Sequence, residues 1–219
     1  MTSATTALDL ATMRAVLSQP RLLTYEQVVN RDPDRAVRLY AWNAKAAAAL
    51  MFPMHFAEVS TRNAIAEAIE AVYGANWPWD RTFETSLPAT SRGFSARQEL
   101  IEVRKRQPTT GKVVAELKFV FWQKMFTRRF DDRLWNHQIL ELFPHSSATN
   151  ADSLRSRIYS DLDVIRLLRN RMAHHEPIFN RNLGHELGQI LDLVRLRSVR
   201  LAKWVRAREE VTALLATKP

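Results

Sequence analysis

Between Asp32 and Gly74 the chain has a helix start at one end, a helix stop at the other and one interior proline, Pro53, midway between them. Asp32 followed by Pro33 supplies an N-cap carboxylate and a residue whose missing N–H costs nothing at the first helical position. The run "DRAVRLYAWNAKAAAALMF" then carries apolar residues on one face. Pro53 is expected to kink or break it, because proline removes an intrahelical donor and its ring crowds the preceding turn. The pattern resumes in "MHFAEVSTRNAIAEAIEAVYG", with Phe56, Val59, Asn63, Ile65, Ala66 and Ile69 near helical spacing. Gly74 is a natural C′ residue. The rest of the chain agrees with a helical reading. It has only 5 glycines in 219 residues, and 46% of it is hydrophobic, enough for a sizeable core.

Further helices are predicted beyond Gly74. "ANWPWDRTFETSLPATSRG" reads as a long loop. "FSARQELIEVRKRQ" reads as an exposed basic helix stopping before Pro108, and "TGKVVAELKFVFWQKMFTRRF" as one central aromatic helix. A long helix is expected from Ser153 through "LRSRIYSDLDVIRLLRNRMAH", with Leu154, Ile158, Leu162, Ile165 and Leu168 on one face. The last segment, "HELGQILDLVRLRSVRLAKWVRAREEVTALL", is predicted as a single helix striped by Leu187, Ile190, Leu191, Val194, Leu201 and Trp204. The fold class expected is all-α, a bundle, with residues 1–30 as an N-terminal helical appendage and 31–219 as the main domain.

Charge narrows the partners. There are 32 Lys and Arg against 23 Asp and Glu, a formal net charge of +9. An excess on that scale favours a polyanionic partner, most simply nucleic acid, although solubility alone also accounts for it. The chain has no cysteine, so disulfides, thiolate metal sites and a cysteine nucleophile are excluded. The first residues lack a basic stretch followed by an apolar run, and "AAAALMFPMHFAEV" is too short and too polar to span a bilayer. A cytoplasmic protein with no membrane association is the expectation.

The densest chemistry lies in "LLRNRMAHHEPIF", residues 167–179. Glu176 precedes Pro177, so the helix should end near His174 or His175. Asn170 and His174 are four apart and share a face, with Arg169 beside it. A helix C-terminus attracts positive charge. An arginine, an amide and a proton-transferring histidine at one helix end suit phosphodiester chemistry: imidazole moves protons and guanidinium holds phosphate charge. No metal site is expected. In "HHE" adjacent side chains point apart, and "HELGQ" has Gln189 where a zinc-binding helix needs its second histidine.

Arg169-Asn170-x-x-x-His174 fits the R-x(4–6)-H pattern of the HEPN superfamily. The longer "LRNRMAHHEPIFN" resembles its Abi-like, abortive-infection branch. Two further segments support the likeness. "LYAWNAKAAAALMFPMHFAEVSTRNAI" is similar to the branch's N-terminal helices, with the acidic-x-x-x-Arg-Asn element at Glu58, Arg62 and Asn63. "GKVVAELKFVFWQKMF…LW…LFP" is similar to its central aromatic helix. The likeness spans roughly residues 35–200.

The resemblance implies a HEPN-like helical bundle with extra helices, pairing as a two-fold homodimer with the Arg/His motifs in one cleft. It implies a metal-independent endoribonuclease without a cofactor, of the toxin or anti-phage defence type, restrained by an antitoxin protein or a non-coding RNA. His174 would serve as general base or acid, Arg169 would stabilise the phosphorane, and Asn170 would orient phosphate or His174. The alternative it leaves open is a non-catalytic RNA-binding module. A third reading is a helical interaction protein whose charge is incidental.

Each residue also has a plainer reading. Arg169 and His174 could simply finish a helix in water. His175 and Glu176 are supporting residues or a local cap. Glu58, Arg62 and Asn63 form either an ion pair with a neighbouring amide or a helix face that supports the motif. Phe119, Phe121, Trp122 and Phe126 are expected in the core. The RNA path is expected to include Arg171, Arg104, Lys105, Arg106, Arg128 and Arg129, each of which could equally be solvated.

Overall fold

The computed structural model describes residues 9–219, and every regular element among them is helical. Its spine is α3, Pro33–Tyr73, a helix of 41 residues and about 60 Å long at the usual rise. The Asp32 carboxylate accepts from the Arg35 N–H at 2.9 Å, and Gly74 closes the other end in the left-handed region at φ 79°. Both ends are as the sequence predicts. The centre is not: the helix runs through Pro53 without interruption. Pro53 leaves the Ala49 carbonyl without its usual donor, a cost of about 3 kcal/mol. The face it occupies is buried with Leu50, Met54 and Ala57, and that packing outweighs the lost bond.

Before the spine come α1, Leu10–Leu17, and α2, Gln19–Val28. Both pack on α3, and Met13, Leu22 and Tyr25 belong to the same continuous core as the rest of the described residues. After it, the predicted loop contains a short helix, α4, Arg81–Ser86, capped by Asp80, which accepts from the Phe83 N–H at 2.7 Å. Trp77 lies fully buried just before it. The basic helix follows as α5, Ala96–Arg106.

The central aromatic segment is two helices, not one: α6, Thr110–Glu116, and α7, Phe119–Met125. Leu117 and Lys118 between them are extended, with ψ 132° and 149°. Val113, Leu117, Phe119, Phe121, Trp122, Met125 and Phe126 are all buried. At roughly 100° per residue those side chains would wrap most of the way round one continuous helix, which has only one core-facing side. The break re-aims them. A π-turn, Asp131–Trp135, leads into α8, Asn136–Leu142. The Trp135 ring stacks on Phe126 with centroids 4.5 Å apart, and its indole N–H donates to the Met125 carbonyl at 2.7 Å.

The motif helix is α9, Ala151–Ala173, with Asn150 as N-cap. Leu154, Ile158, Leu162, Ile165 and Leu168 are all buried, as their spacing predicts. Gln123 of α7 fixes its middle. Its amide donates to Asp163 at 2.7 Å, and its oxygen accepts from Arg166 at 2.8 Å. α10, Leu183–Arg197, packs along α3 and α9.

The predicted final helix is also divided, into α10, α11, Val199–Arg206, and α12, Val211–Leu215. Ser198 makes the first break: its backbone is extended and its hydroxyl accepts from the Leu201 N–H at 3.2 Å. The predicted stripe therefore holds through Val194 but not beyond, and Trp204 is 42% exposed. Replacing Ser198 by Ala is expected to cost about 1 kcal/mol, the usual loss for an N-cap, read from urea unfolding. No helix among the described residues is long and apolar enough to cross a membrane.

Candidate functional site at the end of the motif helix

α9 ends in a Schellman motif. The Glu176 N–H reaches back to the Arg171 carbonyl at 2.8 Å, and the His175 N–H to the Met172 carbonyl at 3.0 Å. His174 is the C-cap, its N–H on the Asn170 carbonyl at 3.0 Å. His175 takes the left-handed C′ position at φ 54°, where glycine is usual. The backbone therefore explains His175, and its ring is not required there. His175→Gly is expected to keep stability within about 1 kcal/mol of the parent and to leave any chemistry at His174 intact, as paired melting and cleavage assays would show.

Four elements hold the segment after the helix. From α2, Arg21 donates to the His175 carbonyl at 2.7 Å. From α9 itself, Arg171 donates twice to the Pro177 carbonyl, at 3.1 and 2.7 Å, and pairs with Glu176 at 3.5 Å. From α3, the buried Asn43 side-chain oxygen accepts from the Ile178 and Phe179 N–H groups at 2.7 and 3.1 Å. From the C-terminal end, Lys218 donates to the Phe179 carbonyl at 2.7 Å. Arg171 is thus a clasp rather than a spare cation, because its guanidinium is spent on its own chain.

Asn170 and His174 lie exposed on this braced terminus. Arg169 turns toward α3, where its Nε stands 3.4 Å from a Glu58 carboxylate oxygen. It lines a groove of about 430 Å³ between α3 and the end of α9, floored by Ala44, Ala47, Ala48 and Met51 and closed by Tyr25 and Tyr40. His175 and Glu176 stand at its rim. Of the predicted supporting triad only Glu58 meets the motif. Arg62 and Asn63 line a different groove, against α6, where the Arg62 Nε is buried without a partner among the described residues.

Burial pushes the Tyr25 phenol up to about 12, assisted by Tyr40 and opposed by Arg21. The phenol thus stays neutral longer in the folded protein than in the unfolded chain. The stability this gives is complete below the ordinary tyrosine value of about 10 and is lost as pH rises toward 12. A spectrophotometric titration should show one of the four tyrosines ionising late, and Tyr25→Phe should remove that late step.

The basic residues expected on the RNA path separate into two groups. Those of α5 are neutralised within the chain. Arg104 pairs with Glu84 and donates to the Pro78 carbonyl. Lys105 pairs with Glu102, and Arg106 with Glu116. Arg128 and Arg129 are exposed and make no salt bridge among the described residues, although Arg128 acts weakly on the Asp131 carboxyl. No group of three His, Asp or Glu side chains converges among those residues.

Asn43, Arg21 and Lys218 were not predicted. A lone amide in the apolar run "YAWNAKAAAAL" was a usable sign of a buried hydrogen bond. Arg21 and Lys218 had no such sign, since each meets the motif only through the fold.

The fold and site together define a class: a basic, all-α protein with an exposed Asn/His helix terminus, held by four contacts, beside a largely apolar groove that Arg169 enters. Comparison of the chain with family models, with curated proteins and with solved structures returns no match.

Proposed function

We propose that this protein is a metal-independent endoribonuclease with Arg169, Asn170 and His174 at its centre. The supporting observation is that an exposed polar cluster is held rigid: four separate contacts fix residues 175–179, while the adjoining Asn170 and His174 side chains are left open. Preorganised polar groups on a braced element are what phosphoryl chemistry requires of a protein. In the proposed step the RNA 2′-oxygen attacks the adjacent phosphorus. The new O–P bond forms as the bond to the 5′-oxygen breaks. One imidazole takes the 2′-hydroxyl proton, and an imidazolium returns a proton to the leaving oxygen. Arg169 neutralises charge gathering on the phosphoryl oxygens.

One chain presents these groups on an open surface, so the reading includes a second copy across a two-fold axis, whose own His174 supplies the second proton carrier. Cytoplasmic toxin or anti-phage effector activity, held in check by an antitoxin protein or RNA, belongs to the same proposal. A second reading is favoured by one contact: Glu58 partly neutralises Arg169, which leaves it less charge for a phosphorane and suits a module that binds RNA through other cations and does not cleave. Incubation of the protein with labelled RNA in EDTA separates the two. Products ending in 2′,3′-cyclic phosphate and 5′-hydroxyl support the nuclease. Salt-dependent binding with no products supports the binding module.

A further inference from the structure

α11 is strongly one-sided. Ala202 and Val205 face the core, while Arg200, Lys203, Trp204 and Arg206 are exposed. Trp204 meets two aromatic residues of α3, with centroids 6.2 Å from Phe52 and 5.6 Å from Phe56. The Arg208 guanidinium lies over the indole, 4.2 Å from the ring centre. Two shallow depressions flank this cluster. One, about 360 Å³, runs along Phe56, Arg200, Leu201 and Trp204. The other, about 590 Å³, runs along Lys45, Ala48, Phe52 and Arg208. Ala48 also floors the Arg169 groove, so the surface continues from α11 over α3 to the motif.

The charge on this face is unspent. Lys45, Arg200, Lys203, Arg206 and Arg208 have no carboxylate within salt-bridge distance among the described residues, in contrast to the paired cations of α5 and of the end of α10. Residues 1–8 contain no Asp or Glu that could supply one. Against them stand Glu210, which lines the second depression, Glu209, which is bonded to Thr212, and Glu58 at the Arg169 end. The excess is positive.

We propose that this face is a single-stranded RNA track leading to the Arg169 groove, with one base stacked on the Trp204–Arg208 platform and phosphates on Arg200, Lys203 and Lys45. It rests on the RNA-directed reading above and supplies that reading with its substrate path. Flat aromatic and guanidinium surfaces interleaved with free cations suit an unpaired strand, whose bases are open to stacking, better than a duplex, whose bases are not. A lipid surface fits less well, because the indole is covered by Arg208 and packed on Phe52 and Phe56 rather than projecting as an apolar wedge.

The test uses a fluorescein-labelled, 2′-O-methyl oligouridine, which cannot undergo 2′-attack, so binding is read apart from cleavage. Anisotropy should give salt-dependent binding with quenching of tryptophan emission. Trp204→Leu should weaken binding about tenfold, in keeping with the loss of one stacked base. Arg200→Glu with Lys203→Glu, at two exposed positions, should weaken it further and flatten the salt dependence by about two charges. Unchanged binding in both variants overturns the proposal. So does loss of binding to vesicles of phosphatidylserine and phosphatidylcholine in place of loss of RNA binding. If the variants lose binding to the methylated strand while the parent cleaves no unmodified RNA, the track stands and the nuclease reading fails. If the parent cleaves RNA and the variants bind normally, the nuclease reading stands and the track fails.

Discussion

Arg169→Ala and His174→Ala are each expected to lower RNA cleavage by about 10²–10⁴-fold, the usual range for losing a positioned proton carrier or a charge stabiliser. Neither should unfold the protein. The His174 ring is exposed and makes no hydrogen bond among the described residues, and Arg169 loses only a half-exposed contact at 3.4 Å, worth about 0–1 kcal/mol. Thermal melts of both variants should therefore overlay the parent. Glu58→Gln frees the Arg169 charge and is expected to raise phosphate affinity or cleavage. Mixing the two inactive variants should restore partial activity if two chains share one cleft, and a mixture that stays inactive would count against the shared site. Full cleavage by His174→Ala would remove His174 from the chemistry altogether.

The second large effect is structural. Asn43→Ala should destabilise the protein by about 2–5 kcal/mol, because it orphans two buried N–H donors at Ile178 and Phe179. For a chain of this size each kcal/mol lowers the melting midpoint by about 2–4 °C. Arg21→Ala and Lys218→Ala remove single contacts to the same segment and should cost only about 0.5–1.5 kcal/mol each. If bracing supports the chemistry, these mild variants will still lose cleavage more than they lose stability. An Asn43→Ala protein melting with the parent would show that the segment is held by something else.

These expectations draw unequally on sequence and structure. The start and stop of α3 were readable because capping is local: Asp32, Pro33 and Gly74 act on their own neighbours. The end of α9 was readable for the same reason, through Pro177. Three departures from the predicted order were harder to read. Pro53 reads as a breaker because its cost is local, whereas the burial that overrides that cost comes from other helices. The gap at Leu117 and Lys118 arises from the need to bury aromatic groups on several sides, which depends on what surrounds them. Ser198 did carry a local signal, a capping hydroxyl, which the apolar stripe on either side obscured.

The site divides in the same way. By itself the sequence determined a helical protein, a positive charge and a segment, residues 167–179, where arginine, amide and imidazole meet at a helix end, since each follows from composition or from contacts within a turn or two. Only the tertiary structure decided what those residues can use. It turned Arg171 into a clasp, gave Arg169 to Glu58, separated Arg62 and Asn63 from the motif, neutralised the cations of α5 and left those of α11 free. A charged side chain's value depends on which partner lies within about 4 Å of it, and for these residues that distance is set by segments far apart along the chain.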